Sequence, residues 1–262
     1  MDALPNNGRE QLPTRSRPAS TPTPGLVGDT RALNTTPTYW FSMFAASALG
    51  TNIGDFRVDD LSLDRWASFA SLVTIAVIAI LGDRFVWRRP AACYWIAIVV
   101  LRAAATNVAD LLTHDLKLGY LVPSIILALA TLLGGYFTRP DQVQLTSPTI
   151  DSRYWGTMLL AGIFGTTAGD MASHTFGLYT AAGLLCLTLV IVIGLRREFA
   201  PASITAYWCI VLAERCAGTP VGDGLASGRA AGLGLPLAIA CTGTLLAAGL
   251  LAHALTHTER GV

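Results

Sequence analysis

The sequence predicts an all-α, polytopic membrane protein with eight transmembrane helices arranged as four tandem helix-hairpin repeats. Three observations point there. A tryptophan-to-aspartate unit recurs four times at constant spacing. Charged residues make up 13% of the 262 residues and hydrophobic ones 52%, whereas soluble chains are about one quarter charged. Eight apolar blocks of near-membrane length follow one another from Thr38 onward.

The recurring unit runs from Tyr39-Trp40 to Asp55, Tyr94-Trp95 to Asp110, Tyr154-Trp155 to Asp170, and Tyr207-Trp208 to Asp223. In each copy the Trp stands 15 residues before the Asp, and a Thr (Thr51, Thr106, Thr166, Thr219) stands four before it. Self-similarity with no slip in register is the mark of a repeat architecture. It divides the chain into a tail, 1–36, and a membrane domain, 38–256, with repeats at about 38–90, 91–150, 151–203 and 204–256.

The tail carries five Pro, four Arg and many small polar residues, with no apolar period. It cannot bury enough surface to offset its ordering entropy, so disorder is expected. No apolar segment follows its basic residues before Tyr39, which argues against a signal peptide. The apolar blocks come next: Tyr39–Val58, Trp66–Leu81, Cys93–Leu112, Leu118–Phe137, Tyr154–Ala172, Phe176–Leu195, Ala206–Ala226 and Gly232–Leu255. Each approaches the ~20 residues that cross a ~30 Å hydrocarbon core. None alternates as barrel strands do, so each is expected to be a helix. The odd-numbered blocks hold Asp, Thr and Arg, with Gly50, Gly54, Gly162, Gly165, Gly169, Gly218 and Gly222 among them, and the even ones are almost wholly aliphatic. Polar-lined odd helices facing inward, with even helices around them, follow from that split. The small residues would let the odd helices approach closely.

Basic residues set the orientation. Twelve Arg lie in the tail, in the loops after the even helices and at the C-terminus, against Arg57, Arg65, Lys117 and Arg229 on the other side. Both termini are therefore expected in the cytoplasm, in a cell inner membrane. Trp40, Trp95, Trp155 and Trp208 would then be interfacial anchors. Five Cys lie in apolar stretches without a C-x-x-C pair and read as small buried hydrophobes.

Positions 7, 11, 15 and 19 after each Trp share one helix face, since steps of four residues drift only about 40° each. The rails read Ser47-Thr51-Asp55-Asp59, Arg102-Thr106-Asp110-His114, Gly162-Thr166-Asp170-His174 and Arg215-Thr219-Asp223-Ser227. A buried Asp is costly in a membrane, and four at one register imply a shared reason. Two readings stand: a substrate or ion pathway built from these Asp and Thr with Glu214, Arg102 and Arg215, or a structural lock in which each Asp pairs with an Arg or caps backbone. Arg102 and Arg215 alternate with Ser47 and Gly162, so a pseudo-twofold axis along the membrane normal is expected. Five acids face two Arg, leaving −3 if all ionise. Either carboxylates are protonated or a cation or proton compensates. Hard oxygen ligands suit Mg²⁺, Ca²⁺ or Mn²⁺, and the identity of any metal stays open. Pro220, within the seventh block, would free one backbone carbonyl. His114 and His174 fall at the rim, and His253 and His257 are expected to be solvated.

The Trp pattern is followed by Gly-Thr-Asn-Ile-Gly-Asp, Ala-Thr-Asn-Val-Ala-Asp, Gly-Thr-Thr-Ala-Gly-Asp and Gly-Thr-Pro-Val-Gly-Asp. It resembles a bacterial membrane-protein family of four tandem two-helix repeats, each with a characteristic tryptophan. The resemblance covers about residues 38–256 and implies two spans per repeat, but no activity, substrate or catalytic residue.

Net charge is +1, so no global field favours nucleic acid. No P-loop, zincin, nucleophile elbow or dinucleotide fingerprint is present, so no enzyme and no cofactor are expected. The leading expectation is a transporter or exporter of a small cation or cationic solute across the lipid bilayer. The alternative is a non-transporting scaffold or sensor that recruits a partner through the tail. An intramembrane enzyme acting on lipid fits less well. Oligomeric state is left open.

Overall fold

The computed structural model describes residues 35–85, 90–138, 148, 150–200, 203–227 and 233–258. The tail expected to be disordered lies almost wholly outside them, as do Arg88, Arg89 and Arg229. All regular structure among the described residues is helical: α1 (Pro37–Asp55), α2 (Arg65–Phe85), α3 (Pro90–Asp110), α4 (Leu121–Phe137), α5 (Ser152–Phe176), α6 (Leu178–Phe199), α7 (Ile204–Ala226) and α8 (Gly234–Thr258). After Asp55 and Asp110 the helix widens into a π turn, Phe56–Asp60 and Leu111–Asp115.

Local chemistry starts three of the inner helices. The hydroxyl of Thr36 accepts from the Tyr39 amide, and Pro37 fills the first turn where no N–H partner exists. Asp151 caps α5 by accepting from Tyr154 N, and Ser203 caps α7 by accepting from Ala206 N. Gly177, with φ of 82°, is the only residue between α5 and α6.

The odd helices α1, α3, α5 and α7 pack in a closed cycle, each against the next and α7 against α1. Around them stand the even helices. Each packs chiefly on the odd helix that follows it, and α8 returns to α1. The sequence division into helix hairpins is therefore offset by one helix. α1 with α2, and α3 with α4, are not the main packing partners, because the aliphatic even helix seats on its C-terminal neighbour. His253, expected in solvent, lies 3.0 Å from the hydroxyls of both Thr36 and Thr38 and fastens α8 to the start of α1. The side chain of His257 lies outside the described residues. Cross-ties join the shells: Asn107 donates to Ser68 at 2.7 Å, Ser124 to Thr167 at 3.0 Å, and the Trp208 indole to Thr138 at 3.0 Å.

Missing side chains let the inner helices meet. A Cβ on Gly165 would stand 2.3 Å from Arg215 Cβ, and one on Gly218 would stand 2.2 Å from Ser47 Oγ. The glycines of the recurring Gly-Thr-x-x-Gly-Asp stretch thus face the neighbouring helix, which turns Thr and Asp toward the axis.

Among the described residues, three helices are long and apolar enough to cross a membrane: Ala92–Asp115, Leu178–Phe199 and Gly234–Leu255. The hydropathic window of the first is 67% buried and that of the second only 6%, which separates inner helix from outer. Arg65–Leu81 and Leu121–Phe137 are apolar but shorter. Helices α1, α5 and α7 carry their polar rails inward and lose mean hydropathy for that reason.

Candidate functional site

The inner four helices run in one direction, because their tyrosines meet at one end and their aspartates at the other. Sixteen residues separate the two levels, about 24 Å of helix. Between them the axis is a stack of polar layers.

At the closed end the Tyr hydroxyls form a ring. Tyr39 is 3.0 Å from Tyr94, Tyr94 is 2.7 Å from Tyr154, Tyr154 is 3.3 Å from Tyr207, and Tyr207 is 2.9 Å from Tyr39. All four residues are buried. Each ring also packs on the next helix's tryptophan, Tyr39 on Trp95, Tyr94 on Trp155, Tyr154 on Trp208 and Tyr207 on Trp40, at centroid distances of 5.3–5.8 Å. This corrects the reading of the tryptophans as interfacial anchors. Trp40, Trp95 and Trp208 are buried and Trp155 half-buried, because each indole fills the space beside a neighbouring phenol.

The next layer holds the charges. Arg102 grips Glu214 with both terminal nitrogens, one bond measuring 2.9 Å, and its Nη2 also lies 3.6 Å from Met43 Sδ. Both charged residues are buried. Glu214 is therefore not part of the Asp group; it is the counter-ion of Arg102. Arg215, by contrast, pairs with no carboxylate among the described residues. It donates to Ser47 Oγ at 2.8 Å, Gly162 O at 3.2 Å and Thr166 Oγ1 at 3.4 Å. The Arg–Asp pairing that the structural-lock reading requires is not found among the described residues, because Glu214 holds Arg102 and backbone and hydroxyl oxygens absorb Arg215.

Beyond the arginines the axis opens into a cavity of about 240 Å³. Thr51, Thr106, Thr166 and Thr219 line its floor, and Asp55, Asp110, Asp170 and Asp223 its wall. The four Thr and four Asp of the rails all reach this one space. The hydroxyls of Thr51, Thr106 and Thr219 donate back to the carbonyls of Ser47, Arg102 and Arg215 at 3.3–3.4 Å. With their protons turned to the backbone, these oxygens present lone pairs inward. Ionised carboxylates are acceptors as well, so the lining favours ligands that donate or carry positive charge. Among the described residues, none of the four Asp carboxyl groups has a hydrogen-bond partner; that of Asp110 lies 3.7 Å from His114 Nδ1.

No protein-family profile, curated protein or solved structure matches the chain.

The mouth carries His114, His174 and Tyr120. The Tyr120 hydroxyl is 3.0 Å from His174 Nε2 and ties the start of α4 to the end of α5. The same hydroxyl lies 3.5 Å from His114 Nε2, so it stands between the two imidazoles at the entrance. Pro220 does not line the cavity. Its ring packs 3.3 Å from the Cβ position of Gly169, and so does the Cys216 carbonyl at 3.1 Å, the one that a proline at this place leaves without an intrahelical donor. Among the described residues no three His, Cys, Asp or Glu side chains stand close enough to hold a bare metal ion. A space of this volume suits a hydrated ion or an organic ammonium group better than a chelated one.

Sequence reading missed the tyrosine ring and the Arg102–Glu214 pair. A signal for the ring was present, since a Tyr precedes every one of the four Trp. Nothing in the spacing singled out Glu214 as the partner of Arg102, 112 residues away.

Proposed function

We propose that the chain is a polytopic membrane protein whose eight helices all cross the bilayer as four tandem repeats, and that its axial cavity binds a small cation or cationic solute for transport or export. The observation that carries this reading is the convergence of four Asp and four Thr on one cavity that holds no Arg or Lys. The bilayer part has separate support. The outer helices present Ile75, Ile78, Ile126, Leu129, Leu133, Leu187 and Val190 outward, each well exposed, and contiguous apolar surface of this kind is rare on soluble monomers. The excess of Arg on one side supports cytoplasmic termini in an inner membrane, with the Tyr ring at the cytoplasmic end. The resemblance to the bacterial four-repeat family rests on the recurring residues alone.

Flux through proteoliposomes tests the proposal, with Mg²⁺, Mn²⁺ and methylammonium as separate probes. At least one should cross in a protein-dependent way, and replacing Asp55, Asp110, Asp170 and Asp223 by Asn should remove that flux. Flux unchanged by the fourfold variant would defeat the reading.

A second reading has its own observation. The axis is shut beyond the cavity by the Tyr ring and the Arg102–Glu214 pair, which fits a cation sensor or scaffold that binds without conducting. It is favoured if a probe stabilises the protein, no probe crosses, and removal of residues 1–36 abolishes the cellular effect.

A further inference from the structure

A second hollow lies on the outside of the bundle, where α6 crosses the seam between α7 and α1. It measures about 580 Å³ and is mainly apolar, lined by Phe41, Phe44, Leu189, Ile193 and Ile210. At one end stand Arg196 and Arg197, from the last turn of α6. The Arg196 guanidinium carbon lies 5.7 Å from the centre of the Trp40 ring and 5.9 Å from that of Tyr207.

The neighbouring seam, between α5 and α7, shows why the hollow exists. There α4 approaches Trp208 with Gly135, so closely that a Cβ would stand 2.3 Å from the indole, and Thr138 caps the indole N–H. In the α7–α1 seam the residue that α6 lays on the tryptophan is an arginine. A guanidinium on an indole face occupies far more room than a hydrogen atom. It holds α6 away from α1, opens a slot between them and floors the end of that slot with positive charge.

We propose that this groove holds an acyl chain of an anionic phospholipid, with the phosphate at Arg197. The inference rests on the membrane part of the function proposed above and is independent of the cation. Charge complementarity selects the occupant. Arg197, exposed at the end of the groove, offers forked N–H donors that match phosphate oxygens, the buried Arg196 adds positive charge behind it, and basic pockets between membrane helices at the cytoplasmic side bind anionic headgroups. The two arginines lie at the level of the Tyr ring, the cytoplasmic end of the bundle. Glu198 follows on α6 but does not line the groove. The aliphatic and aromatic walls suit one chain, and the arginine stems extend that apolar surface.

Native mass spectrometry of the full chain in a non-ionic detergent tests this, with dioleoyl phosphatidylglycerol and dioleoyl phosphatidylcholine as probes. Wild type should retain one phosphatidylglycerol at roughly tenfold lower lipid concentration than phosphatidylcholine. Arg197→Glu, at an exposed position that leaves folding intact, should remove most of that preference. Val190→Trp, which fills the slot, should lower retention of both lipids. Equal retention of the two lipids by wild type, or a preference that survives Arg197→Glu, overturns the proposal. So does full displacement by inorganic phosphate, which would mark an anion site without a chain. Fourfold Asp→Asn replacement should leave lipid retention unchanged. Recovery of the chain in the soluble fraction without detergent would defeat the membrane reading itself, a different result from any of these.

Discussion

The two ends of the axis are built from the same four helices and end differently. At one end four tyrosines close into a ring, and at the other four aspartates stand apart around a cavity. The difference lies in the functional groups. A hydroxyl both donates and accepts, so four of them satisfy one another in a cycle. An ionised carboxylate only accepts, so four of them have nothing to exchange and repel. Identical helix geometry therefore yields a seal from one residue type and an open site from the other. The seal needs nothing from outside, whereas the site is completed by a positive donor.

The contrast depends most on the layer that separates the two ends. Glu214→Gln strands the Arg102 guanidinium in a buried position. Breaking a buried pair on one side costs about 3–5 kcal/mol, so the thermal midpoint in detergent should fall further than for any single glycine, tyrosine or aspartate substitution along the axis. Arg102→Met together with Glu214→Leu should recover most of the loss. A single variant as stable as wild type would mean that water reaches this layer and that the axis is not sealed.

Next in size is the close approach of the inner helices. Gly165→Ala places a methyl 2.3 Å from Arg215 Cβ and 2.8 Å from its carbonyl carbon. Overpacking of that kind costs about 1–3 kcal/mol. Gly156→Ala, on the same helix with nothing within 4 Å, should instead gain about 0.5–1 kcal/mol from helix propensity. Opposite signs for the two alanines in a detergent melt would confirm that the glycine spacing, and not helix content, sets the width of the axis. Equal effects would remove that claim.

Much of this arrangement is legible in the sequence, and the limits are physical. The helical class and the boundaries of the blocks follow from apolar runs and punctuation. Steps of four residues place Thr and Asp on one face of each odd helix, and the glycines beside them anticipate close packing. What that face meets depends on which helices are neighbours, and spacing within one helix carries no such information. Arg102 and Glu214 come from distant segments, and their pairing leaves Arg215 to oxygens that any helix carries. The tryptophans mislead for a related reason. An amphipathic aromatic at a helix start has two homes, the lipid interface or the gap beside a neighbouring ring, and only the tertiary fold decides. The offset packing of even on following odd helices was invisible for the same cause.

The seal itself gives the third test. Tyr94→Phe opens the ring and leaves the hydroxyls of Tyr39 and Tyr154 each one partner short, a loss of about 1 kcal/mol. Replacing all four tyrosines by Phe should cost much less than four times the single value, since no hydroxyl then remains unsatisfied. Strict additivity across the series would show four separate bonds in place of a cycle.

The smallest effect is the most diagnostic, because its sign should be opposite at the other end. The Asp170 carboxyl group accepts no hydrogen bond from the described residues and shares the cavity with those of Asp55, Asp110 and Asp223. Carboxylates that share one small cavity repel one another wherever they ionise. Asp170→Asn relieves that repulsion, so the melt in cation-free buffer should rise slightly while the tyrosine variant falls. Added Mg²⁺ or methylammonium, whichever binds, should then stabilise wild type more than the variant, because the ligand supplies the charge that the protein lacks. Should Asp170→Asn instead destabilise the bundle as Tyr94→Phe does, the carboxylate holds the fold together, and the axial cavity loses its claim to be a binding site.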